Sequence, residues 1–163
     1  LTTGSLSQRL PPGLARSDRP ELGLMVPQTT AAALVSENKA LGWPATMDSI
    51  PTCEDQEDHV AMSTTAARRA AEVLVNTRRI VAIELLAAAH ALAFRREEEG
   101  EALRLGAGTA PALATVEATL GGFSVQRAPS DDIAALDELL QTDALFEGLP
   151  ALLAVGAAPG EGA

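Results

Sequence analysis

Residues 60–99, VAMSTTAARRAAEVLVNTRRIVAIELLAAAHALAFRREEE, contain neither glycine nor proline. A helix through all of them runs for ~40 residues, on the order of 60 Å at 1.5 Å per residue. Val73, Leu74, Val81, Leu85 and Leu92 fall roughly on one helical stripe. Residues 80–92 are apolar on nearly every side, which predicts burial all round. A helix this long and this enclosed belongs to a multi-helix bundle, one completed by further chain or by other subunits.

Just upstream lies Ser49-Ile50-Pro51-Thr52-Cys53-Glu54-Asp55-Gln56-Glu57-Asp58-His59-Val60. Pro51 favours an extended Ile50 and rules out a continuous helix. Asp58 is the expected N-cap of the long helix, with Glu54, Asp55 and Glu57 gathered at the positive end of its dipole. A loop that brings carboxylates, an amide and an imidazole to a helix mouth is where chemistry is to be sought.

Further out, Pro27 suits a helical first turn, and residues 28–41 hold the good helix formers Ala31, Ala32, Ala33 and Leu34. Gly42 and Pro44 end that helix. Residues 1–23, rich in Ser, Gly, Arg and Pro, read as an irregular entry segment. Downstream, Gly100 breaks the long helix. Thr109 is expected to cap a short helix that carries Pro111 in its first turn and stops at Gly121-Gly122. Ser130-Asp131-Asp132 are expected to cap a last helix over residues 133–142. Residues 24–148 form the helical part and residues 149–163 a flexible tail. No repeat and no strand is predicted.

The 163 residues fit one domain or one half of a larger one. Apolar residues reach 47%, but aromatics only 2%, a profile of closely packed helices rather than a β-sandwich. A formal net charge of −10 argues against a nucleic-acid partner. The single cysteine, Cys53, excludes an internal disulfide and fits a cytoplasmic location. Residues 81–94 carry Glu84 and His90, so no membrane span is expected. The start, Leu1-Thr2-Thr3-Gly4, has no initiator methionine or signal pattern and reads as a chain beginning in the middle of something.

Glu57 and Asp58 are of the right type for acid–base work, and equally for solvated first-turn carboxylates. His59 is either a ligand or proton shuttle, or a hydrogen-bonded structural residue. His59 and His90 are far apart in sequence without a Cys/His cluster, so no metal is expected. Cys53 has no adjacent base and acidic neighbours, which makes it a poor nucleophile. Glu37-Asn38-Lys39 is either the wall of a site or ordinary surface.

Three blocks carry a resemblance. They are Met25-Val26-Pro27-Gln28-Thr29-Thr30-Ala31-Ala32-Ala33-Leu34-Val35-Ser36-Glu37-Asn38-Lys39, then Asp48-Ser49-Ile50-Pro51-Thr52, then Gln56-Glu57-Asp58-His59-Val60-Ala61-Met62. Together with Asn76-Thr77-Arg78-Arg79 and Ala82-Ile83-Glu84-Leu85-Leu86 they closely resemble histidine ammonia-lyase, over roughly residues 10–148. The resemblance implies an all-α, long-helix bundle of the fumarase/aspartase-like (ammonia-lyase) type, assembled as a homotetramer with active sites built from several subunits. It implies a carbon–nitrogen lyase that converts L-histidine to urocanate, using a 4-methylidene-imidazol-5-one (MIO) electrophile made from Ala-Ser-Gly. By resemblance Glu57 is the catalytic position near electrophile and substrate, and Gln56 and His59 support the substrate site. A carboxylate at 57 pairs with an imidazolium or ammonium group, whereas the amide usual in phenylalanine lyases suits a neutral ring.

The chain departs from the family in having no Ala-Ser-Gly and no tyrosine. Pro20-Glu21-Leu22-Gly23-Leu24, Trp43, Thr46, Cys53 and Glu54 also differ from its usual pattern. The reading is the C-terminal half or subunit of a histidine ammonia-lyase-like enzyme, inactive without an N-terminal partner that carries Ala-Ser-Gly. The alternatives are a tyrosine or phenylalanine ammonia-lyase or 2,3-aminomutase on the same scaffold, and a non-catalytic assembly subunit.

Overall fold

The computed structural model describes residues 10–16, 23–47, 49–100, 103–122 and 127–147. Most of the expected irregular entry segment, Asp48 and the expected tail lie outside them. Among these described residues four helices follow in chain order: α1 (Met25–Leu41), α2 (Ser63–Glu99), α3 (Thr109–Leu120) and α4 (Pro129–Leu139). A tight turn with Gly13 and Leu14 at φ 64° and 54° spans Pro12–Leu14, and a single helical turn spans Ala45–Met47. Among the described residues there is no strand, only an isolated antiparallel bridge between Thr52 and Glu57.

The all-α class follows from the sequence: alanine- and leucine-rich runs without internal glycine propagate as helix, and glycines stop them. Gly42 donates its N–H to the Asn38 carbonyl at 2.9 Å and closes α1. Gly121, at φ 64°, ends α3 in the left-handed conformation that a side chain would strain. α2 is the spine. α1 and α4 both pack on it, the C-terminal part of α1 at Asn76 and Thr77 and α4 from Arg78 on, and α3 packs mainly on α4.

The core sits against the second half of α2, where Leu86, Leu120 and Leu136 are fully buried with Ala82, Ala89 and Val116 around them. Leu14, from the entry segment, and Leu24 join that core. Gly23 is required beside them, because a Cβ there would sit 2.4 Å from the Gly13 carbonyl oxygen. The expected burial all round residues 80–92 is not met within this chain: Glu84 and Ala88 are exposed and Leu85, Ala87 and Leu92 half-buried. The predicted stripe is displaced too, since Leu74 is exposed while Ala82, Ile83, Leu86 and Ala89 carry the packing.

Helix starts differ from expectation. α2 begins at Ser63, with Met62 at φ 45° before it, and Asp58 is not its cap. The Ser49 hydroxyl accepts the Val60 N–H at 2.8 Å and donates to the Val60 carbonyl at 3.3 Å. Ser49 holds Val60 in the loop, and Met62, in the left-handed conformation, is the break after which the helical turns begin. Gly108, not Thr109, precedes α3, and Ala128, not Ser130, precedes α4. Pro129 occupies the first helical position of α4, where its fixed φ is already helical. That helix also closes at Leu139, earlier than expected.

Two charged contacts fasten α4. The Arg78 guanidinium holds Asp137 with both carboxylate oxygens engaged, at 2.7 and 3.3 Å, and this hydrogen bonding keeps Arg78 above its ordinary range. Asp132, in the first turn of α4, is buried. Arg127 Nη2 lies 2.9 Å from its Oδ1, an ion pair that leaves that oxygen without an aligned hydrogen bond.

Burial pushes the Asp132 carboxyl above its ordinary 3.8; Arg127 and His90 pull it down, and Asp131 adds to the rise. A carboxyl raised on folding binds more protons folded than unfolded, so stability falls as pH rises from about 3.8 through the raised value. Asp132→Asn is expected to flatten that part of the stability–pH curve. Urea midpoints at a series of pH values, compared with the parent, check this.

Candidate functional site

The segment between α1 and α2 carries the candidate residues. After the Ala45–Met47 turn it runs to Ser49, whose two bonds to Val60 form a neck. Beyond the neck the chain closes as a short hairpin. Thr52 N–H donates to the Glu57 carbonyl at 3.0 Å, and Glu57 N–H donates to the Thr52 carbonyl at 3.2 Å. Cys53, Glu54 and Asp55 turn the chain with φ of 51°, 56° and 65°. Left-handed backbone at a non-glycine residue costs roughly 1–2 kcal/mol. The Gln56 N–H bond to the Cys53 carbonyl at 3.2 Å, with the bridge pair, offsets part of that cost.

Glu57 therefore lies in an isolated bridge with Thr52, not in a helical first turn. Its Oε2 accepts the Thr52 hydroxyl at 2.9 Å, so one carboxylate oxygen is oriented by a neighbour on the opposite arm. Gln56 stands beside it at the end of the turn, and His59 two residues beyond it, between bridge and neck; all three are exposed. His90 is half-buried in α2, and among the described residues no group of three His, Cys, Asp or Glu side chains is placed to hold a metal.

A shallow cleft of about 250 Å³ opens beside the hairpin neck, lined by Trp43, Met47, Ile50, Met62 and Arg69 among others. Glu57 is not in its wall. Arg69 Nη1 donates to the Trp43 carbonyl at 2.8 Å and ties the loop to α2. Trp43, Met47 and Ile50 are all more than half exposed, as is Leu74 on α2.

Sequence alone does not choose between site wall and surface for Glu37-Asn38-Lys39, and it singles out no role for Asn76. In the structure they join: Asn76 Nδ2 donates to Glu37 Oε2 at 3.0 Å and to Asn38 Oδ1 at 3.1 Å. The available signal was an asparagine inside a long helix, where its amide disfavours helix unless it finds a partner.

The description "aromatic amino acid lyase" belongs to the family model that matches residues 1–118. Histidine ammonia-lyase of Symbiobacterium thermophilum is 46% identical over 143 residues, 88% of this chain and 27% of that protein. Among solved structures, histidine ammonia-lyase from Trypanosoma cruzi superposes with a TM-score of 0.79 at 34% identity, over 91% of this chain and 29% of that one. Tyrosine aminomutase from Streptomyces globisporus superposes with a TM-score of 0.77 at 32% identity, over 90% and 27%. The chain spans about a quarter of the length of the curated relatives it matches. With a family model covering most of its length and long-helix relatives matching its fold, this chain belongs to the aromatic amino acid lyase family.

Proposed function

We propose that this chain is the C-terminal part of a histidine ammonia-lyase-like enzyme that eliminates ammonia from L-histidine to give urocanate. The observation that carries the reading is Glu57, a carboxylate within Gln56-Glu57-Asp58-His59, exposed on a hairpin and oriented by Thr52. The 46% identity to a histidine ammonia-lyase supports the choice of substrate. In the reaction the Cα–N bond breaks, a proton leaves Cβ, and a double bond forms between the two carbons.

The MIO electrophile that activates the amino group does not fit this chain as its source, since no Ala-Ser-Gly occurs in it. An N-terminal part, in the same polypeptide or a separate subunit, has to supply it. This chain contributes Glu57, whose carboxylate pairs with the imidazole or ammonium of the substrate, and the hairpin that presents it. Gln56 and His59 support the substrate site. The exposed Trp43, Met47, Ile50 and Leu74 favour an oligomer in which other chain covers them. Among the described residues no helix is long and apolar enough to cross a membrane, and the proposed location is the cytoplasm.

The similarity to tyrosine aminomutase supports a second reading, in which the same scaffold moves the amino group of an aromatic amino acid instead of losing it. Co-expression with a polypeptide containing Ala-Ser-Gly, followed by ultraviolet absorbance with histidine, tyrosine and phenylalanine, tests both. A urocanate band from histidine with the complex and none with the chain alone is the expected result. Deamination by the isolated chain would sink the proposal, and a β-amino acid product from tyrosine would establish the second reading.

A further inference from the structure

Between Ser63 and residue 81, Asn76 is the one buried residue of α2, and it is polar. α1 buries only Pro27, near its other end. No fully buried apolar side chain therefore fixes the C-terminal half of α1 against α2. A directional network occupies that place. Thr77 Oγ1 donates to the Val73 carbonyl at 2.7 Å, so its lone pair is left to accept Asn38 Nδ2 at 3.3 Å. With its amide nitrogen committed to Thr77, Asn38 turns its oxygen to Asn76 Nδ2, which also meets Glu37 Oε2. Donors and acceptors match in this order at one register of the two helices. A slide of one residue, ~1.5 Å, breaks hydrogen bonds of this length, whereas the half-buried apolar contacts carry no such directional requirement.

The hairpin bearing Glu57 is exposed throughout, and its arms meet at the Ser49–Val60 neck. Its placement is set by where α1 delivers the chain, by the Arg69–Trp43 contact that holds the start of the loop on α2, and by where α2 takes the chain up. We infer that Asn76, with Glu37 and Asn38, is a latch that fixes the register of α1 on α2 and so aims the Glu57 hairpin. Asn76 is then a positioning residue. The inference deepens the proposed function and rests on its reading of Glu57 as an active-site group, but its geometry is testable without catalysis.

Cys53, the chain's single cysteine, is exposed on the hairpin turn and provides the reporter. A nitroxide on Cys53 and a second on Ala88→Cys, an exposed position on the core half of α2, report the distance from hairpin to core by pulsed electron spin resonance. The parent is expected to give one narrow distance distribution. Asn76→Asp sets a carboxylate against Glu37, and the distribution is expected to broaden about twofold as the helix pair opens locally. Adding Glu37→Gln restores a donor from the opposite side and is expected to narrow it again. Asn38→Ala, placed in α1 with a strong helix former, guards against loss of fold and is expected to broaden the distribution likewise.

Distributions for Asn76→Asp and Asn38→Ala that overlay the parent would overturn the latch. So would broadening that Glu37→Gln fails to reverse, because that marks a general loss of packing. No substrate enters the measurement, so the latch can stand if Glu57 proves inactive, and fall while the lyase reading survives.

Discussion

Glu57→Gln in the assembled enzyme is expected to lower histidine turnover on the order of 100-fold, the scale of losing a charge from a desolvated ion pair. Within this chain Glu57 oxygen Oε2 is held by the Thr52 hydroxyl, and glutamine retains that contact through its own amide oxygen. The hairpin should therefore survive the substitution, and the loss isolates the carboxylate's charge from its shape. Steady-state kinetics followed by urocanate absorbance read the effect directly. A loss below about tenfold would mean that no full charge pair is made at this position and would move the substrate to a neutral aromatic ring. Thr52→Val offers a companion measurement, because it removes the orienting hydroxyl while leaving the carboxylate.

Leu86→Ala is expected to be the most damaging single truncation in the core, costing about 2–5 kcal/mol. Leu86 is fully buried at the point where α2 meets the residues of α3 and α4, in one cluster with Leu120 and Leu136. Flanking side chains on α2 itself, Ala82 and Ala89, are too short to collapse into the space left behind. Urea unfolding followed by circular dichroism checks the magnitude. Leu74→Ala on the same helix is the internal comparison: Leu74 is 65% exposed, and its truncation is expected to move the midpoint little. A Leu74 effect as large as that of Leu86 would show that the exposed half of α2 is already covered in solution.

The two halves of α2 explain why sequence and structure agree in some places and part in others. Glycine-free, alanine-rich sequence and glycine stops are local properties, so the four helices and the ends of α1 and α3 were readable without coordinates. The stripe assigned by spacing included Leu74 because periodicity ranks faces without knowing which of them meets a neighbour. Asp58 has the residue type of a cap, yet the long helix starts later, after left-handed Met62, with Val60 held in the loop by Ser49, eleven residues before it. The candidate site divides the same way. Gln56, Glu57 and His59 stood out through the quality of their motif, while the Thr52–Glu57 bridge that carries them was not anticipated.

By itself, then, the sequence determined that this chain is helical, where most helices break, which family it belongs to, and that it brings neither Ala-Ser-Gly nor a tyrosine to any site. Only the tertiary structure decided that Glu57 sits on a hairpin bridge, that α2 starts at Ser63, and that Asn76 is buried against Glu37 and Asn38. The physical reason is range. Propensity and chain stops act within a few residues, whereas the neck and the polar contacts between α1 and α2 join groups 11 to 39 residues apart. The Thr52–Glu57 bridge is local, but it rests on left-handed backbone at Cys53, Glu54 and Asp55 that side-chain type does not announce.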